Sequence, residues 1–276
     1  MIELPEAFTI ARQMTAELQG KRIGSGSRGN SPHKFAFYSR SAEEYEAILA
    51  GKTVGETVGH GVNTITALDP GYVLVLGGGG ERILLHRDGT TVPKKYHLYL
   101  GFDDGSCLTV SVQGWGAAML LRPDELEQVP WLKPKGPSPL SDDFTLDYFL
   151  GLFDTIPPDD KRAAKYFLIS EPGVWGVGNG YTQDILFRAR IHPRRRVVDT
   201  SVEERRALYE AVRQTLAQAT ELGGRTDERD LYGNPGGYQR ILDSTAAGNP
   251  CPVCGTTIEK IQFLGGASYF CPRCQV

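Results

Sequence analysis

Apolar and polar positions change rhythm twice along this chain. Near the start, Ala7, Ile10, Ala11, Met14 and Leu18 recur at helical spacing, which predicts an N-terminal helix with these side chains on its buried face. A second helix is predicted over 42–50, with Ser41 as its cap and Glu44 reaching back from the third helical position. The rhythm then shortens. TVGETVGHGVNTITAL, GYVLVLGGGGERILLHR and YHLYLGFDDGSCLTVSV are short apolar runs between Gly-rich turns. Turn signals recur about every 8–12 residues, the pattern of an antiparallel sandwich or barrel.

The Pro-rich stretch VPWLKPKGPSPLSD predicts an extended linker, and beyond it the helical rhythm returns. Tyr148, Phe149, Leu152 and Phe153 fit one helix; Ala163, Ala164, Phe167 and Leu168 fit another. SEPGVWGVGNGYTQ, with four glycines and a proline, interrupts the helix that YTQDILFRARI resumes. VEERRALYEAVRQTLAQAT is amphipathic, with Leu208, Ala211, Val212, Leu216 and Ala219 on one face. A polar connection over 223–250 follows, long enough to suggest a function of its own. The expected fold class is α+β: an N-terminal antiparallel β-sandwich over 1–128, a helical domain over 129–222, a loop over 223–245 and a small module over 246–276.

Composition narrows the function without naming it. Hydrophobic residues make up 40% and charged residues 23%, as in ordinary soluble domains. No apolar run approaches the ~18–20 residues that a bilayer demands. Glu3 and Glu6 stand where a signal peptide would carry positive charge, so the expected location is the cytoplasm, with at most Met1 removed. A net charge of −3 does not announce a nucleic-acid binder. Locally, however, Arg188, Arg190, His192, Arg194, Arg195 and Arg196 crowd together, with Lys161, Arg162 and Lys165 just upstream. Such a cluster is either a phosphate-capturing face or a solvated helix end.

The cysteines divide four plus one. Cys107 sits alone in a strand-like run and reads as a small buried hydrophobe. Cys251-Pro-Val-Cys254 and Cys271-Pro-Arg-Cys274, sixteen residues apart, are paired as two knuckles offering four thiolates to one tetrahedral zinc. The residues between them alternate and turn at Leu264-Gly265-Gly266, as a hairpin does. So short a module has little core, and the metal supplies its folding energy. Redox or iron–sulfur use, and a staple that never touches DNA, remain open at this point.

Taken in order, these pieces resemble one family, the Fpg/Nei DNA glycosylases, across nearly the whole chain. Met1-Ile2-Glu3-Leu4-Pro5-Glu6 is similar to the family's N-terminus. GPSPLSDDFT resembles its linker, Gly176-Val177-Gly178-Asn179 with DILFRARIHP its helix–two-turn–helix motif, and CPVCG…YFCPRCQ its zinc finger. The variant N-terminus and RDLYGNPGGY suggest the endonuclease VIII-like side. The resemblance implies a β-sandwich followed by a helical DNA-binding domain and a structural zinc. The implied partner is double-stranded DNA with a damaged base or an abasic site, bound by a monomer. It also implies a flipped-out nucleotide, glycosidic cleavage by an N-terminal amine, and β-elimination through a Schiff base.

Carried over residue by residue, the resemblance places the amine at Ile2 after loss of Met1 and a proton-handling carboxylate at Glu3. Glu6 becomes the acid that orients the helix and holds the amine. Asn179 and Gly178 become the phosphate contact at a helix N-terminus, while Lys34 and Arg194 are cations within reach of the backbone. Trp115 is the one side chain large enough to fill the gap left by a flipped base. There are departures. Position 2 is Ile where most members have Pro, Gly266 stands where many have Arg, and the usual sandwich lysine is replaced within Gly59-His60-Gly61-Val62. The leading expectation is a base-excision glycosylase with lyase activity. A damage sensor that kept the clamp and lost the amine is the alternative, and a zinc-ribbon protein adaptor is a third.

Overall fold

The computed structural model describes all residues, 1–276. It divides into two compact units, the first formed by Met1–Lys133 with Leu222–Gly237, the second by Pro134–Glu221 with Tyr238–Val276.

In the first unit, helix α1 (Leu4–Leu18) is followed by strand β1 (Ile23–Arg28), the two-residue β2 (Ala36–Phe37) and helix α2 (Ala42–Leu49). Strands β3 (Thr53–His60), β4 (Asn63–Asp69), β5 (Tyr72–Gly77), β6 (Glu81–His86), β7 (Leu98–Phe102), β8 (Cys107–Val112) and β9 (Gly116–Leu121) come next. They form two sheets, ordered β1-β7-β8-β6 and β2-β9-β5-β4-β3. All pairings are antiparallel except the short β2–β9 contact. Alternation decides which side is buried: in β7, Leu98, Leu100 and Phe102 point inward. They share a core with Leu74, Leu76 and Leu120 of the other sheet, and α1 adds Ile10, Met14 and Leu18 to it. The α1 face is thus the one the spacing predicts, and Ser41 caps α2 with Glu44 reaching back as expected. Cys107 is buried.

The five-stranded sheet also has an apolar outer face, where Ile65, Val75 and Leu121 pack under Leu132. The covering segment holds helix α3 (Pro123–Leu126) and a single 3-10 turn, Pro130–Leu132, where the sequence predicts only extended chain.

The second unit contains α4 (Leu146–Asp154), α5 (Ala164–Ile169), α6 (Asn179–Arg188) and α7 (Val202–Glu221), then the hairpin β10 (Glu259–Phe263) and β11 (Gly266–Phe270). Leu208, Ala211, Val212, Leu216 and Ala219 of α7 face the core with Phe149, Phe167 and Ile185. The turn joining β10 to β11 places Leu264 and Gly265 at φ 51° and 72°, the left-handed pair of a two-residue hairpin. No helix is long and apolar enough to cross a membrane.

The polar connection is the main difference from the sequence reading. Its first part, Leu222–Gly237, belongs with the first unit. Gln13 binds Asp230 and the Leu231 amide from α1, and Leu231 is fully buried in the sandwich core. Its second part is pinned to α6, where buried Asp184 accepts from the Tyr238 hydroxyl and the Ile241 and Leu242 amides, each at 2.9 Å.

Candidate functional site

The acidic N-terminal segment and the folded-back connection meet in a buried nest of charge within the first unit. Ile2 anchors the segment, its side chain in the core and its amide donating to the Gly79 carbonyl at 2.9 Å. The next residue, Glu3, is buried and receives the Arg225 guanidinium at 3.0 Å. Glu6 accepts from the Glu3 amide at 2.9 Å and from the Arg225 amide at 3.0 Å. Arg225 also donates to the Met1 carbonyl at 2.6 Å. The α-ammonium of Met1 pairs with Glu228, which in turn takes Arg82 at 2.5 Å. Burial works to raise the Glu228 carboxyl, but the ammonium, Arg82 and Arg225 outweigh it and the net displacement is downward. Glu6 therefore ties the start of α1 to the Arg225 loop.

A fourth buried carboxyl, Glu81, stands beside this nest. Its two oxygens accept from the Gly79 amide at 3.0 Å and the Ala117 amide at 2.9 Å. Burial pushes it up to about 7, against the pull of those amides and of the α-ammonium. Glu81 ends the four-glycine run Gly77–Gly80, whose backbone passes beneath Trp115. A Cβ on Gly79 would lie 2.0 Å from the Trp115 carbonyl oxygen, so only glycine fits. Facing the same run, Asn63 is buried with its Oδ1 lacking a hydrogen-bond partner. Trp115 itself is 46% exposed.

In the second unit the helix turn, the hairpin and the basic loop come together. Gly178 is the N-cap of α6 and Asn179 its first residue, exposed and without a capping side chain over it. Gln183, one turn on, binds Asn179 Oδ1 at 3.3 Å and the Ala267 carbonyl at 3.1 Å, and accepts from the Tyr269 amide. A Cβ on Gly266 would stand 3.0 Å from Asn179 Nδ2, so hairpin tip and helix start are neighbours. Lys165, fully buried, fixes the hairpin by donating to the Phe263 carbonyl at 2.7 Å and Ser268 Oγ at 3.0 Å. Arg194 lies over the Phe263 ring at 5.2 Å and is exposed.

The four thiols of Cys251, Cys254, Cys271 and Cys274 lie within 4.8 Å of one another. Sγ···Sγ distances are 3.8 Å for Cys251–Cys274 and 3.5 Å for Cys254–Cys271. A tetrahedral zinc with ~2.3 Å bonds sets its sulfurs about 3.8 Å apart, so the donors fit that metal. The Val253 and Cys274 amides point at Cys251 and Cys271 sulfurs, each at 3.4 Å, and would hold the thiolates in place. Gln275 ties the second knuckle to the loop after α6, accepting from the Cys271 amide and donating to the Ile191 carbonyl.

The structure thus gathers Glu3 and Glu6 in one nest, and Gly178, Asn179 and Arg194 beside the hairpin. Lys34 lies elsewhere on the first unit, exposed, 5.5 Å above the Phe35 ring. Arg225, Glu228, Arg82, Glu81 and Asn63 escaped the sequence reading. An arginine among acids in a Gly-rich connection, GGRTDERD, is the only local signal they leave.

The chain is similar to known proteins over its whole length. Residues 135–230 match the formamidopyrimidine-DNA glycosylase H2TH domain, and residues 248–276 match the zinc finger found in FPG and IleRS. A formamidopyrimidine-DNA glycosylase of Roseiflexus sp. (strain RS-1) is 32% identical over 280 residues, spanning both chains completely. One from Thermus thermophilus is 32% identical over 288 residues, spanning this chain and 98% of the relative. Among solved structures, the Lactococcus lactis Fpg in complex with abasic-site DNA superposes with a TM-score of 0.85 at 27% identity, covering 99% of each chain. The Thermus thermophilus MutM (Fpg) structure gives 0.81 at 30% identity, covering 99% of this chain and 98% of that one. These relatives carry the formamidopyrimidine name, whereas the sequence motifs lean to the endonuclease VIII-like side.

Proposed function

The chain belongs to the formamidopyrimidine-DNA glycosylase (Fpg/Nei) family, and on that premise we propose that it excises oxidised bases from double-stranded DNA and cleaves the resulting abasic site. The observation that carries this reading is the buried nest of Glu3, Glu6 and Arg225 at the N-terminal segment, directly after the residue that would carry the amine. Buried charge on this scale is costly unless the groups pair, and its concentration at one spot supports the reading of a working site.

The amine, once neutral, attacks C1′ of the extruded nucleotide as the glycosidic bond breaks, and the base leaves with a proton. The C1′–O4′ bond then breaks, O4′ taking a proton as the ring opens, and the resulting Schiff base acidifies C2′ and lets the 3′ phosphate depart by β-elimination. Glu3 protonates the opening sugar and carries protons during elimination, held in register by Arg225. Glu81, with a carboxyl poised near neutrality, is a second proton carrier on the Gly79 side. Zinc holds the hairpin. Asn179, the α6 N-terminus and Arg194 grip phosphate from the second unit. We read the protein as a cytosolic monomer acting on chromosomal DNA.

One observation favours a sensor instead: Ile2, the residue that would carry the amine, has its side chain in the core and its nitrogen bound to the Gly79 carbonyl. The two readings part on Glu3→Gln. For the enzyme, wild type nicks oxidised-base and abasic duplexes, and the variant loses at least about 100-fold of that rate with affinity kept. Lesion-selective binding with no nicking by either protein would establish the sensor.

A further inference from the structure

The outer face of the five-stranded sheet carries a surface that the proposed chemistry touches only at its edge, through Trp115 and Lys34. Residues 123–132 cover Ile65, Val75 and Leu121 through Leu126, Val129 and Leu132, but Trp131 is left outside this cover. Beyond it a hollow of about 440 Å³ is lined by Phe37, Tyr38, Trp115, Ala117, Met119 and Trp131. A neighbouring hollow of about 460 Å³ runs on between Phe35, Phe37, Gly114 and Trp115. Phe35, Phe37 and Trp131 are 49%, 49% and 50% exposed. Leaving these rings in water forfeits about 25 cal/mol per Å² of apolar surface, and monomers rarely leave such rings contiguous unless something binds there.

The occupant is indicated by what flanks the rings. On the other side of Tyr38 the trough opens into a groove of about 810 Å³ that includes Arg28, Asn30, His33 and Lys34. The Arg28 guanidinium stacks over Tyr38 at 3.9 Å, and Lys34 Nζ sits 5.5 Å over Phe35. No acidic residue lines either aromatic hollow, and Glu43 is the only one in the basic groove. Flat aromatic faces interleaved with cations match a strand whose bases are unpaired and whose phosphates run alongside. An apolar protein surface would use the rings and leave the cations idle. Each stacked base is worth about 1–3 kcal/mol and demands no particular sequence.

We propose that this trough binds single-stranded DNA, stacking unpaired bases on Phe35, Phe37, Trp115 and Trp131 while Arg28 and Lys34 hold the phosphates. Trp115 borders the glycine run beside the N-terminal nest, but Phe35, Phe37 and Trp131 take no part in the nest, and strand binding there does not depend on the reaction proposed for it.

The test uses the full-length, zinc-loaded protein and two fluorescein-labelled probes, a twelve-nucleotide oligothymidylate and a fully paired abasic-site duplex, read by anisotropy. Wild type binds the oligothymidylate, with quenching of tryptophan fluorescence. The double variant Phe37→Ala/Trp131→Ala loses at least tenfold in that affinity, while its duplex affinity and abasic-site nicking stay within twofold. Trp131→Phe, which keeps a stacking face, retains binding and loses part of the quenching. Lys34→Ala weakens oligothymidylate binding and lowers its salt slope by about one. Absence of oligothymidylate binding by wild type, or equal affinity in the double variant, overturns the proposal. So does concentration-dependent self-association in sedimentation that the double variant abolishes, since the patch is then a protein interface. Glu3→Gln keeps oligothymidylate binding, so failure of the glycosylase reading and failure of this one are told apart.

Discussion

Glu81 illustrates how one buried side chain links folding to chemistry. Its carboxyl is pushed up to about 7 from an ordinary 4.5, so between those values the folded protein holds a proton that the unfolded chain has released. Stability therefore falls as pH rises through that window and levels off above it, by about 3 kcal/mol in all. Glu81→Gln removes this slope even if it lowers stability at every pH. Urea unfolding of both proteins at pH 5 and pH 8 measures it, and an unchanged slope in the variant would assign the pH dependence elsewhere. At this scale the sequence was legible only in part. Glu3 and Glu6 stand out beside an N-terminus that resembles the family. Glu81 and Arg82 look like ordinary strand residues, and Arg225 and Glu228 like surface charge in a loop. Their meaning comes from contacts that span most of the chain, such as Arg225 to Glu3, and no local pattern encodes those.

At the level of elements, glycine placement and hairpin docking do the positioning. The Gly77–Gly80 run lets the N-terminal segment and Trp115 approach the same backbone, and GGGG announces such a close passage without saying what passes. In the second unit, Gln183 of α6 and Lys165 of α5 both bind the β10–β11 hairpin, and Asn179 stands beside Gly266. Gly266 stands where many members have an arginine, so in the proposed function Asn179 and Arg194 take more of the phosphate grip. Asn179→Ala is expected to weaken binding to an abasic-site duplex about tenfold, with zinc content and unfolding midpoint unchanged. Titration by anisotropy checks it, and affinity within twofold of wild type would put the grip elsewhere. Periodicity predicts these helices well because each buries one face on its own unit. The ordered return of Leu222–Gly237 to α1 was invisible, since a polar, Gly-rich stretch shows no periodic face.

Over the whole molecule, a net charge of −3 coexists with a basic turn and a basic groove, so charge distribution matters more than charge balance. Zinc is the other global determinant. Residues 248–276 share only a small core with Phe187 and Leu242, and the thiolate cluster supplies much of their stability. Chelation should unfold this module and abolish duplex binding, leaving the sandwich's circular dichroism intact; one zinc per chain by elemental analysis should restore binding. Persistent duplex binding without metal would remove the hairpin from the grip. The central claim concerns the N-terminal nest, and borohydride trapping on abasic-site DNA followed by peptide mapping tests it most directly. A reduced adduct on the N-terminal residue, lost in Glu3→Gln, is the predicted result; no adduct, or one on an internal lysine, would contradict it.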